Sequence, residues 1–344
     1  MARAKPRVPI WLFVLPPLLL VLAAAGWWTL KPSPPPVPVM AVVPPPSLPT
    51  IPAPEPLVAR GVTVPPPEVR DFRIEAATEQ HILDHVPSET APDLTVFRFI
   101  ANPRVLVLDF TSLRDQGLML NRAAAFVEKT GLPHDRLLND TELDAAVRAG
   151  GDTVETFYYG HDYGTASLVR FFALADRDSM HLLAGEETLR RLIRQEGWFE
   201  PGARAAMISI PQVGADEHVT RLARATILHH ELSHGEYFTN PAYTAFVHRF
   251  WTQTLTATER DHIRHHLHSL GYDSALDDVM ENEAQAYLMF TDSADFFTPE
   301  MVGMTRGRLG ELRAGFLRTM PAGWLHDSLG DTLSANKTAA SARP

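Results

Sequence analysis

"TILHHELSHGEYF", residues 226–238, holds His230, Glu231 and His234 in the spacing H-E-x-x-H. On a helix, residues three and four apart share a face, so Ile227, His230 and His234 form one stripe. Two imidazoles one turn apart can converge on a single ion about 2 Å from each nitrogen. Glu231 follows the first imidazole and projects beside that ion, where it can take a proton from a bound water. All of this requires a helix. The pattern predicts one starting at about Asp216, after a short apolar strand in "RAAMISIPQVG", residues 204–214. The bland reading is a wet helix face that carries His229, His230 and His234 without purpose.

A catalytic zinc wants three protein ligands and an open position. The chain has no cysteine, so the third ligand must be His, Asp or Glu. "SALDDVMENEAQAYLMF", residues 274–290, has helical apolar spacing at Leu276, Val279, Met280, Ala284, Tyr287 and Leu288, with Ser274 as a possible cap. Glu283 borders its more apolar side and is the preferred ligand, with Glu281 as the alternative. Hydrolysis also needs a donor to the developing oxyanion. Tyr287, one turn beyond Glu283, is the candidate, and Tyr272, Tyr237 and His161 remain open.

The pair "HELSH" at 230–234 and "NEAQAY" at 282–287 resembles the gluzincin type of zinc metallopeptidase. The resemblance implies that Zn2+ is held by His230, His234 and Glu283, with Glu231 as general base. It also implies that the strand before the first helix is the sheet edge along which a peptide lies. Two departures stand out. Tyr287 occupies the position where thermolysin-like members have an aspartate that orients a ligand histidine. The metzincin pattern fails outright, with Tyr237 where it needs glycine and Asn240 where it needs histidine.

Upstream, "DLTVFRFIANPRVLVLDFTSL", residues 93–113, reads as strand, turn at Asn102-Pro103, and strand. "RDQGLMLNRAAAFVEKTG" predicts a helix ending at Gly131, and Asp140 or Thr141 can cap "ELDAAVRAG". "ASLVRFFALA" and "GEETLRRLIRQEG" predict two more helices. "ETFYYGHDYG", residues 155–164, sets Phe157, Tyr158, Tyr159 and Tyr163 around His161 and Asp162. It is either a cleft-lining loop or a turn anchored by core tyrosines. "RDHIRHHLHSLG", residues 260–271, reads as a solvated helix surface rather than an accessory metal site.

The N-terminus supplies an address. Arg3, Lys5 and Arg7 precede "VPIWLFVLPPLLLVLAAAGWWTL", residues 8–30, an uncharged run long enough to cross a bilayer. Trp11 lies at one end and Trp27 with Trp28 at the other, where aromatic rings favour the interface. The basic flank predicts a cytoplasmic N-terminus and a single-pass bacterial inner-membrane protein, the rest being periplasmic or external. A cleaved signal peptide at "LAAAG" is the alternative. The proline tract at residues 31–69 reads as an extended stalk.

The expected organisation is therefore an anchor at 1–30, a linker at 31–69 and a mixed α/β part at 70–200. A zincin-like part at 201–325 and a disordered tail at 326–344 complete it. The fold class is α+β, with short N-terminal strands and a mostly helical C-terminal half. A formal charge of −10 speaks against nucleic acid as a partner. The expected function is zinc-dependent hydrolysis of peptide bonds in cell-envelope proteins or peptides. The alternative is a non-catalytic, membrane-tethered binding module with a structural or vestigial metal site.

Overall fold

The computed structural model describes residues 71–87 and 94–341. The expected anchor and stalk lie outside the described residues. Among the described residues, no helix is long and apolar enough to cross a membrane.

The chain runs β1 (Phe72–Ala77), α1 (Glu79–Asp84), β2 (Leu94–Phe99), β3 (Val105–Phe110), α2 (Leu113–Val127) and α3 (Asp140–Ala149). Next come β4 (His161–Gly164), α4 (Thr165–Arg177), α5 (Ala184–Gln195), β5 (Ala206–Pro211) and α6 (Arg221–Thr239). The remainder is helical: α7 (Pro241–Arg249), α8 (Ala257–Ser269), α9 (Asp277–Gln285), α10 (Arg306–Thr319) and α11 (Trp324–Ser341). Both α7 and α9 close in a π-helical turn, at Phe250–Thr254 and Ala286–Phe290 respectively.

The five strands form one sheet in the order β1-β2-β3-β5-β4. The β1/β2 and β3/β5 pairs are parallel, and β2/β3 and β4/β5 are antiparallel. Alternation along each strand sorts the side chains onto two faces. Leu94, Val96, Leu106, Leu108, Phe110 and Met207 point toward α2, α4 and α5, where they meet Leu120, Phe171 and Leu192. Phe97, Phe99, Val105, Val107, Ile208 and Ile210 point the other way, onto Ile227, Leu228 and Leu232 of α6. With both faces covered, β3 and β5 are buried at every position and apolar at nearly all of them. A third core, built on Tyr243, Phe246, Trp251, Met280, Leu288 and Phe316, unites the C-terminal helices.

The α6 helix lies tight on the sheet. A β-carbon added to Gly235 would stand 2.9 Å from Val105 Cγ2, so the glycine permits the approach. Thr220 caps α6, its side chain accepting from the Ala223 amide, and the segment before it is turn rather than helix.

The α+β class and the helical C-terminal half agree with the sequence reading. Several details do not. β5 is interior, flanked by β3 and β4, so the sheet edge beside α6 is β4 and not the strand before the helix. Asn139 caps α3, in a capping box with Glu142. The α2 helix stops at Val127, and Lys129 instead pairs with Tyr272 in an isolated bridge. Ser274 does not cap α9, which begins after Leu276 without a side-chain cap. Residues 298–320 form a 3-10 turn at Pro299–Val302 followed by α10. The tail set at 326–344 is largely helical: α11 continues to Ser341, and Leu325 and Leu329 are buried in the third core.

Candidate metal centre

His230 and His234 project from α6, and their rings meet edge to face with centroids 4.7 Å apart. Glu283, on α9, faces both. Its Oε2 lies 3.6 Å from His230 Nε2 and its Oε1 3.6 Å from His234 Nε2. One donor atom from each residue falls within 4.8 Å of the others, a set that can hold a metal ion. Buried polar atoms normally have partners. Here His234 Nδ1 and Nε2, Glu283 Oε2 and Glu231 Oε2 are all buried without a hydrogen bond. The orphaned His234 Nε2 and the Glu283 carboxylate, together with His230 Nε2, form a donor set that suits a divalent cation such as zinc.

The protonation states suit it too. Burial holds His230 down at about 3 and His234 at about 4, so both rings are neutral at neutral pH. The tautomer of His230 follows from its neighbour. The Thr291 hydroxyl donates to the Ala286 carbonyl (3.1 Å), which leaves its oxygen to accept from His230 Nδ1 at 2.9 Å. The Nε2 lone pair is thereby turned toward Glu283. His234 Nδ1 faces Asp162 Oδ2 at 3.6 Å, and that oxygen accepts from Asn282 Nδ2 at 3.1 Å. Asp162, on β4, thus stands beside His234, where a carboxylate can orient the ring.

Glu231 is buried, and Gly160 passes directly against its carboxylate. Burial, followed by the charges of Glu283 and Glu128, pushes the Glu231 pKa well above the usual carboxylate range. A base with a raised pKa is better matched to proton transfer near neutrality. His230 and Glu231 also line a cavity of about 210 Å³, together with Tyr158, Tyr159, Tyr272 and Tyr287.

The other nominated residues separate clearly. Glu281 turns away and accepts from His248 Nδ1 at 3.0 and 3.1 Å, outside every metal-capable group among the described residues. Tyr287 meets His230 edge to face with ring centroids 4.8 Å apart, and Tyr272 shares its cavity. Tyr237 faces a different cavity. His161 is buried in β4 itself, its Nδ1 2.9 Å from Oγ of its cross-strand partner Ser209, and burial holds its pKa at about 3. Of residues 155–164, the first half lines the cavity and the second half forms β4.

Two residues gain weight that they lacked in the sequence. Tyr158 lines the cavity with a buried hydroxyl that has no partner. Glu128, just beyond α2, belongs to a further metal-capable group with Asp162 and Glu283. No local pattern marks it, because its partners come from β4 and α9.

No family model matches the sequence, and no curated protein and no solved structure is significantly similar to it. The chemistry of the site therefore carries the functional argument alone.

Proposed function

We propose that this protein is a zinc-dependent peptidase, in which His230, His234 and Glu283 hold the metal. The observation that carries the reading is the meeting of these three side chains with Glu231 at the wall of a cavity lined by tyrosines. A structural metal has no need of an adjacent unpartnered carboxylate or of a cavity beside it.

A zinc ion so held supplies a Lewis acid for a carbonyl oxygen and acidifies a water. Glu231 accepts the proton of the attacking water and delivers it to the leaving nitrogen as the C–N bond breaks. The hydroxyl of Tyr287, with Tyr272 and Tyr158 as neighbours in the same cavity, donates to the carbonyl oxygen as it gains charge. Neutral His230 and His234 keep their nitrogen lone pairs free for the metal.

The address belongs to the same proposal. The basic flank and apolar run at residues 1–30 anchor the chain in a bacterial inner membrane, and the proline tract carries the domain outward. Envelope proteins or peptides are then the substrates within reach. The deciding experiment is zinc analysis of purified protein together with peptide hydrolysis by wild type and Glu231→Gln. Zinc at about one per chain with turnover lost only in the variant supports the reading. Failure to bind zinc after replenishment overturns it.

A further inference from the structure

A line of buried hydrogen bonds runs from the backbone of one ligand histidine to the carboxylate beside the other. It begins on α6, where the Ser233 hydroxyl donates to the His230 carbonyl at 2.7 Å. The Ser233 oxygen accepts from Gln285 Nε2, on α9, at 3.0 Å. The same nitrogen lies 3.5 Å from Asn282 Oδ1, and Asn282 Nδ2 donates to Asp162 Oδ2 at 3.1 Å. That carboxylate oxygen is in turn 3.6 Å from His234 Nδ1. A branch enters from α7, where the Tyr243 hydroxyl donates to Gln285 Oε1 at 2.7 Å. Ser233, Tyr243, Asn282 and Gln285 are all buried, and none of them adds to the orphaned polar atoms around the metal-capable triad.

These bonds have one direction. A hydroxyl carries a single hydrogen, and Ser233 gives its own to the His230 carbonyl. Only an N–H can then face the Ser233 oxygen, so Gln285 must turn its NH2 group that way. Its carbonyl oxygen is left for Tyr243, whose hydroxyl supplies the matching hydrogen. The remaining N–H of Gln285 serves Asn282 Oδ1, and Asn282 therefore presents its own NH2 group to Asp162. Flipped, Asn282 would set a carbonyl oxygen against the Asp162 carboxylate and drive it from His234. With Asp162 held, the carboxylate faces His234 Nδ1, and Nε2 is the nitrogen turned to Glu283.

We infer that Gln285 is a positioning residue of the metal centre, acting on His234 through Asn282 and Asp162 and itself oriented by Tyr243. It is not a ligand, and it follows Glu283 on the same helix. A glutamine that merely tied α6, α7 and α9 together would leave the metal indifferent to its loss. One whose amide sets the amide beside Asp162 would not. This role rests on the zinc site proposed above and extends it to residues outside the ligand set.

Two measurements on the full-length protein report the site without any turnover: zinc affinity by chelator competition, and the visible spectrum of the cobalt-substituted form. Gln285→Met keeps the length of the side chain and removes its donors and its acceptor. It should weaken zinc binding by about 10- to 100-fold, the usual effect of losing an outer partner of a ligand, and shift the cobalt bands. Tyr243→Phe should act in the same direction and by less. Phe316→Leu, in the same helical core but outside the line of bonds, should lower thermal stability alone. Because Gln285 acts through Asn282, adding Gln285→Met to Asn282→Leu should weaken zinc no further. Zinc affinity within about twofold of wild type in Gln285→Met, or full additivity of the two substitutions, overturns the positioning role and leaves the metal site standing. Should Gln285→Met fail to fold, Tyr243→Phe carries the test, and an unchanged cobalt spectrum with unchanged zinc affinity overturns the role. Wild-type protein that takes up no zinc overturns the site and this role together.

Discussion

Gly160 and Glu231 are in such close apposition that a β-carbon on the glycine would lie 2.8 Å from the glutamate Cδ and nearer still to Oε1. The glycine is the wall against which the base rests. Gly160→Ala must push Glu231 out of place or move the tyrosine loop. Since a misplacement of about 1 Å can cost about 100-fold in rate, turnover should fall by 10- to 100-fold at unchanged zinc content. Parallel kinetics and metal analysis check this, and unchanged turnover would show that the site does not depend on the Gly160 contact.

Glu231→Gln should keep zinc and lower turnover by about 10²- to 10⁴-fold, the usual contribution of a positioned base. It should also stabilise the metal-free protein. The folded pKa of Glu231 is raised, so its contribution to stability is present below the unfolded value and lost as pH rises through the folded one. Glutamine has no charge to lose. Denaturant midpoints of the two metal-free proteins at pH 8 should therefore favour the variant.

The two glutamates of α9 offer a paired control. Glu283→Gln should abolish tight zinc binding, whereas Glu281→Gln, which only breaks the contact with His248, should retain it. Thermal shifts will report the difference: zinc at about 1,000 times its dissociation constant adds about 4 kcal/mol, and only the Glu283 variant should lose that response.

His161 has a signature in pH. Burial holds its folded pKa at about 3, against an ordinary 6.5, so the unfolded chain takes the proton first as pH falls. Its contribution to stability is present above 6.5 and drains away on acidification toward 3. Over that window the slope is about 1.4 kcal/mol per pH unit for one group. Chemical denaturation of metal-free His161→Gln between pH 6.5 and 4 should show a slope shallower by that amount.

Much of the centre was legible in the chain because α-helices are periodic. His230, Glu231 and His234 needed only a helix beneath them, and Glu283 was preferred over Glu281 by the apolar side of its own helix. What lay across the sheet was not legible. Asp162 sits on a four-residue strand inside a tyrosine-rich turn, and its pairing with β5 is made by residues far away in sequence. Glu128 follows the end of α2, and its neighbours Asp162 and Glu283 come from β4 and α9. The misassigned sheet edge did have a signal: "AMISI" is apolar at nearly every position, as an interior strand is, whereas alternation is expected of a half-covered one. In α11, Leu325 and Leu329 have helical spacing, but the Gly, Ser and Ala around them dilute the pattern.

The π-helical turn at Ala286–Phe290 gives the site an unusual genetic sensitivity. A π turn holds one residue more than an α turn, and each residue advances a helix by about 100°. Deleting a single codon there would let α9 continue as ordinary α-helix and swing Thr291 off His230, leaving Glu283 where it is. A length change on one helix would thus read out as a loss of ring orientation on another, with every residue named in the metal triad still present. Conversely, a chain that gained one residue at this place would acquire the Thr291 contact without altering any ligand, a route by which such a centre can be assembled in a single step.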